Sequence, residues 1–181
     1  CNYFLERVLP RYEKGEVSGS TTEICQYIGE ALFLRAYEYF DLYQNYGDLP
    51  IVTNTLPDDQ TVLTEASKRF PRNEVARFIL SDLDKALEMM PEQFESRHTR
   101  INRNCVLLLK SRVALYEGTF LKYFKGTPFV PQGEGWPGAQ KEYSASYQYP
   151  LGGIDEEINW FLDQAITSSA LLADNIILTA N

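Results

Sequence analysis

From Glu23 to Tyr46 the polar residues Glu23, Gln26, Glu30, Glu38, Asp41 and Asn45 keep to a narrow stripe at helical spacing. Ile24, Ile28, Ala31, Leu32, Tyr39, Leu42 and Tyr43 cover the broad apolar remainder. So wide an apolar face predicts a mostly enclosed helix over 23–46. Gly47 can take a positive φ after the last turn, and Pro50 forbids a quick restart, so the helix is expected to stop near Tyr46. From Pro71 to Met90 the apolar positions Val75, Phe78, Ile79, Leu83, Ala86, Leu87 and Met90 are spaced 3, 1, 4, 3, 1 and 3 apart. That spacing predicts an amphipathic helix over 72–90, opened by Pro71 in its first turn and closed before Pro91.

A polar stretch separates Pro91 from Asn102, which is placed to cap a third helix over 103–124. Val106, Leu109, Val113, Leu115, Tyr116, Phe120 and Phe124 form its apolar face, and Gly126 and Pro128 end it. Lys125 to Gly153 is an irregular stretch punctuated by glycine and proline. A last helix over 155–173 is expected to take Asp155 as its N-cap and to bury Ile158, Phe161, Leu162, Ala165, Ile166, Ser169 and Leu172. Asn2 to Val8 also runs at helical periodicity, and Leu49 to Thr53 can run extended. The fold class is therefore all-α, with antiparallel helix pairs of tetratricopeptide-like type and one long Gly/Pro/aromatic loop. Short links force consecutive helices side by side, although no strict repeat consensus is visible.

Composition narrows the picture. A chain of 181 residues suits one domain with a sizeable core, and 44% hydrophobic with 23% charged residues is a folded composition. The net charge of -8 repels phosphate backbones, which argues against nucleic acid as a partner. No apolar run approaches the roughly 18 residues of a membrane-spanning helix. The three cysteines, Cys1, Cys25 and Cys105, cannot complete a disulfide framework, and the latter two are expected as small buried hydrophobes.

Catalytic chemistry finds little support. The single histidine, His98, lies near Ser96 in a polar loop, where no nucleophile, base and orienting acid are held together. No His/Cys pairs have metal-ligand spacing, so neither metal nor cofactor is expected. Asp155, Glu156 and Glu157 at a helix start complement the helix dipole better than they form a glycosidase pair. Arg35 interrupts an apolar face and is expected to pair with Glu38 or with an acid on a neighbouring helix. Asp48, just after the turn glycine, is expected to cap local backbone amides. The aromatic residues of the irregular loop, Trp136, Tyr143, Tyr147 and Tyr149, are the candidate ligand site, because flat rings suit the apolar faces of sugars. The competing role for them is to pin a long loop to the scaffold.

The phrase Glu30-Ala-Leu-Phe-Leu-Arg-Ala-Tyr-Glu-Tyr-Phe-Asp-Leu, followed by Tyr46-Gly47-Asp48-Leu49-Pro50, resembles the first-repeat signature of the SusD/RagB family of outer-membrane nutrient-binding lipoproteins. Two further blocks follow in the family's order, Ile79-Leu-Ser-Asp-Leu-Asp-Lys-Ala-Leu with Met90-Pro91, and Arg112-Val-Ala-Leu-Tyr-Glu-Gly-Thr-Phe. Cys105 and Ser111 stand where the family often has alanine, a change small enough for close helix packing. The resemblance implies a non-enzymatic surface protein that captures glycan, or sometimes peptide, as a lid on a TonB-dependent, SusC-like transporter. It also implies that residues 1–181 are one helical domain of a longer protein, lipid-anchored at the outer membrane through a segment outside this sequence. Cys1 is expected to be an ordinary first residue, since the helical periodicity behind it leaves no flexible spacer for an anchor. The alternative is a helical-repeat adaptor that binds another protein on its concave surface.

Overall fold

The computed structural model describes residues 1–93, 99–174 and 176. His98 and Ser96 lie outside the described residues. The chain order is α1 (Asn2–Glu13), α2 (Thr21–Tyr46), α3 (Gln60–Ala66), α4 (Arg72–Met89), α5 (Arg103–Tyr123), a 3-10 turn (Pro137–Gln140) and α6 (Ile154–Ala173). Among the described residues the only extended pairing is a single antiparallel bridge between Leu49 and Phe70.

The helices pack as antiparallel neighbours, and side-chain pairs fix each register. Between α1 and α2, Tyr12 meets Cys25 while Asn2 meets Arg35. Between α2 and α4, Arg35 meets Asp82, Tyr39 meets Phe78 and Tyr43 meets Arg72. Between α4 and α5, Arg103 reaches the carbonyl of Leu87, Lys110 pairs with Asp84 and Arg72 with Glu117. Between α5 and α6, Lys125, just past the end of α5, pairs with Asp155. Farther along that pair a side chain on Gly118 would meet Leu162 Cδ2 at 2.9 Å, so glycine there lets the two helices approach. Ile28, Leu32, Ala36, Val75, Ile79, Leu83, Val106, Val113 and Phe161 fill the shared core.

The predicted helix limits match closely because the signals at the helix ends are local. Asn102 caps α5 by accepting the amide of Cys105, and Gly47 ends α2 at φ 68°. Three expectations are corrected. Gly153, and not Asp155, occupies the cap of α6; Asp155 lies in its first turn, facing Lys125. Cys105 is exposed, and Cys25 is half-buried at the contact with α1, its Sγ 3.1 Å from the Tyr12 hydroxyl. Leu42 of α2, Leu115 of α5, Phe124 just past α5, and Ile166 and Ser169 of α6 face outward, while the polar Gln26, Glu157 and Ser168 are buried.

A cleft between the helix ends and the aromatic loop

The sequence Tyr46-Gly47-Asp48-Leu49-Pro50 turns the chain sharply at the end of α2, and Phe70-Pro71-Arg72 brings it back at the start of α4. The Leu49–Phe70 bridge clasps the two turns together. Asp48 Oδ1 accepts the backbone amide of Arg72 at 2.8 Å, which supplies the α4 N-terminus with a cap that Pro71 cannot provide. The residue expected to cap local amides thus caps a helix 24 positions away. The loop 124–153 folds over this junction, leaving a cleft of about 680 Å³. Tyr46, Asp48, Ser67, Arg69, Phe129 and Tyr143 are among its lining residues. A second cavity of about 420 Å³ adjoins it, and Arg69, Tyr143 and Ser144 line both.

The four candidate aromatics divide sharply in this setting. Trp136 is 4% exposed, and its indole N–H donates to Asp48 Oδ2 at 3.0 Å. Gly138 turns beneath that indole so tightly that any side chain there would collide with the ring. Tyr149 is 5% exposed and donates to the carbonyl of Pro131 at 2.7 Å. Tyr147 is half-buried between them, edge-on to Trp136 and to Tyr149, and its hydroxyl bonds Asn73 of α4. Burial lifts the Tyr147 and Tyr149 phenols above the ordinary tyrosine range, so both stay neutral hydrogen-bonding groups. Tyr143 differs: it is 45% exposed and its ring reaches the cleft.

Replacing Trp136 by Phe tests the anchoring contact. A smaller aromatic ring stays in place of the indole, but the half-buried Asp48 Oδ2 loses its donor, so the expected cost is about 1 to 3 kcal/mol of stability. An unchanged denaturant midpoint would show that this bond does not hold the loop.

The floor of the cleft is a largely buried ionic layer. Arg72 donates to Glu117 from Nε at 3.0 Å and from Nη2 at 2.9 Å, and Nη2 also reaches the Tyr43 hydroxyl at 2.7 Å. Its guanidinium carbon lies 3.3 Å from the Phe120 ring centroid. Beside it Glu157 accepts from Arg77 at 2.6 and 2.7 Å and from Asn73 at 2.9 Å. Glu157 therefore does more than complement the α6 dipole: it ties α6 to α4. Burial pushes the Asp48 carboxyl above its usual range, although the Trp136 and Arg72 donors pull it back. Both Asp48 oxygens are occupied by donors, which leaves this acid poorly suited to proton transfer on a ligand. Arg35, as expected of it, pairs with an acid on a neighbouring helix, Asp82, at 2.7 and 2.8 Å.

Tyr46, Arg69, Phe129 and Lys141 are among the cleft residues that sequence reasoning missed. Phe129 is 62% exposed between Pro128 and Pro131, and so carries the same signal, a ring on proline-rich loop backbone, that marked the other four. Tyr46, at 63% exposed, was legible only as the last residue of a helix. Among the described residues no group of three or more His, Cys, Asp and Glu is arranged to hold a metal ion. Nor, among those residues, is any helix long and apolar enough to cross a membrane.

Known proteins resemble this one in sequence and in the arrangement of helices. Residues 1–115 match the SusD-like family model described as starch-binding associating with outer membrane. The chain is 28% identical over 120 residues to SusD-like protein P2 of Formosa agariphila, covering 66% of this chain and 23% of that protein. It is 35% identical over 92 residues to SusD-like protein P38 of the same organism, covering 50% of this chain and 17% of that one. The matched stretches thus span about a quarter or less of those relatives' length. The crystal structure of a SusD-like protein from Bacteroides fragilis superposes with a TM-score of 0.54 at 26% identity, over 85% of this chain and 33% of that one. A family match across more than half of the chain, carried on the same helical scaffold, means that this protein belongs to the SusD-like family.

Proposed function

We propose that the chain serves in non-catalytic capture of a glycan at the cell surface, with the 680 Å³ cleft as the contact it contributes. The observation that carries this reading is the exposed ring of Tyr143 at a cleft that Phe129 and Tyr46 also line. Open aromatic faces stack on the C–H faces of a sugar, and Ser67, Gln44 and Asn45 add polar groups for its hydroxyls. Trp136, Tyr147 and Tyr149 support the site from behind by holding the loop in place. The family description, starch-binding associating with outer membrane, agrees with a carbohydrate ligand. In the same reading the protein is held at the outer-membrane surface by a lipid tether outside this sequence and acts as a lid on a TonB-dependent, SusC-like transporter.

Binding of a panel of neutral and acidic oligosaccharides to the full-length protein, followed by calorimetry, tests the cleft. Tyr143→Ala is expected to weaken the bound glycan by about 1 to 3 kcal/mol, the scale of a base stacked on an aromatic side chain, with an unchanged melting temperature. Unaltered affinity would remove the cleft from the ligand site. The 181-residue segment alone is expected to bind weakly, because it spans only a small part of its relatives.

A further inference from the structure

The cleft carries a charge character that the chain as a whole does not. With 25 acids against 17 lysines and arginines, an average surface of this protein is negative. The charged residues lining the cleft are nevertheless Asp48, Arg69, Arg72 and Lys141. Arg72 is neutralised from below by Glu117. Asp48 has both oxygens engaged, by the Arg72 amide and the Trp136 indole. Arg69 and Lys141 are exposed, and neither side chain makes a hydrogen bond or an ion pair among the described residues, although Arg69 is near enough to Asp48 to draw its carboxyl downward. They come from different parts of the chain, Arg69 from the approach to α4 and Lys141 from just after the 3-10 turn. The fold brings these two free cations to one cavity with the Tyr143 and Phe129 rings. A third cation, Lys68, lies 5.9 Å from the Tyr143 ring centroid, although it is shared with Glu65.

We propose that the cleft selects acidic glycans, seating a sugar ring on Tyr143 and Phe129 and its carboxylate or sulfate oxygens on Arg69 and Lys141. The inference rests on the carbohydrate reading above and adds to it the class of sugar. An uncharged glycan needs only the rings and neutral hydrogen-bonding groups. Free cations in a cleft lose part of their hydration when it fills, a cost that a neutral ligand does not offset. An anionic sugar offsets it with charge-assisted hydrogen bonds: the arginine fork matches two oxygens of either oxyanion, and the lysine ammonium acts as a point charge. At physiological salt, charge is screened beyond about 8 Å, so a ligand in the cleft responds to these cations more than to the acids on distant surfaces.

The test compares three oligosaccharides of matched length on the full-length protein: a neutral maltooligosaccharide, an oligogalacturonate and a sulfated galactan. One or both acidic probes are expected to bind about tenfold more tightly than the neutral one at low salt, and to lose that advantage as salt is raised. Tighter binding of the oligogalacturonate assigns the pair to a carboxylate; tighter binding of the galactan assigns it to a sulfate. Arg69→Gln and Lys141→Gln should each weaken the acidic probe about threefold, and together abolish its preference, with the melting temperature unchanged because both side chains are exposed. Equal or tighter binding of the neutral probe would overturn the proposal while leaving the capture reading intact, as would an acidic preference that survives the double substitution. No binding by any of the three would overturn both.

Discussion

Replacing Arg72 by methionine is expected to cost about 3 to 5 kcal/mol, the scale for leaving one partner of a buried ion pair alone. Methionine keeps much of the side-chain stem but removes every donor. Glu117, with no exposed surface, is then left with the Tyr43 hydroxyl as its one remaining donor. Three helices lose a shared junction at once, since Tyr43 belongs to α2, Arg72 to α4 and Glu117 to α5. The loss should depend on pH in a definite direction. Burial already pushes the Glu117 carboxyl above its usual value, and Arg72 is the main group that pulls it back; without Arg72 only the Tyr43 hydroxyl still opposes the upward push. An acid whose folded pKa lies above its unfolded one takes up its proton more readily in the fold, so stability is gained as pH falls through the folded value and lost as pH rises. The deficit against the parent should therefore be larger at about pH 8 than at about pH 5. Adding Glu117→Leu removes the stranded charge and should recover part of the loss. Equal deficits at both pH values, with no recovery in the double variant, would show that the ion pair is not what joins the three helices.

Leu83→Ala is expected to cost about 2 to 5 kcal/mol, the range for removing a buried leucine and leaving a cavity behind it. Leu83 is fully buried in the middle of α4, the helix that packs against both α2 and α5, so its neighbours are held from two sides and cannot collapse freely into the gap. Ile166→Ala is the control. It removes an apolar side chain of similar size from an exposed site on α6, and should change stability by no more than about 0.5 kcal/mol. Denaturant midpoints separate the two cases. A Leu83→Ala midpoint equal to that of the parent would mean that the apolar face of α4 is assigned wrongly.

The sequence by itself determined the number and limits of the long helices. Apolar spacing, Asn102 as a cap, and Gly47 and Pro91 as stops all act within a turn or two of the backbone they shape. α3 escaped because Gln60–Ala66 buries no residue and carries no apolar stripe; its visible signal is the cap that Asp59 forms on Val62. The all-helical class, the aromatic loop and the family resemblance were also legible, since each rests on residue types in chain order. Only the tertiary structure decided which faces were inside and which rings were open. Ile166 and Leu115 looked like core and are exposed, while the polar Asn73, Glu117 and Glu157 are buried. Their partners lie 45 to 84 positions away, beyond any local pattern. In the loop, Trp136 and Tyr143 had equal claims as ligand platforms. Trp136 is closed because its N–H meets an acid 88 residues earlier, whereas the Tyr143 hydroxyl has no such partner among the described residues and its ring stays partly exposed. Backbone hydrogen bonds are satisfied within a segment, so local sequence can specify a helix; a buried polar atom or ring must be satisfied by whatever the fold brings against it.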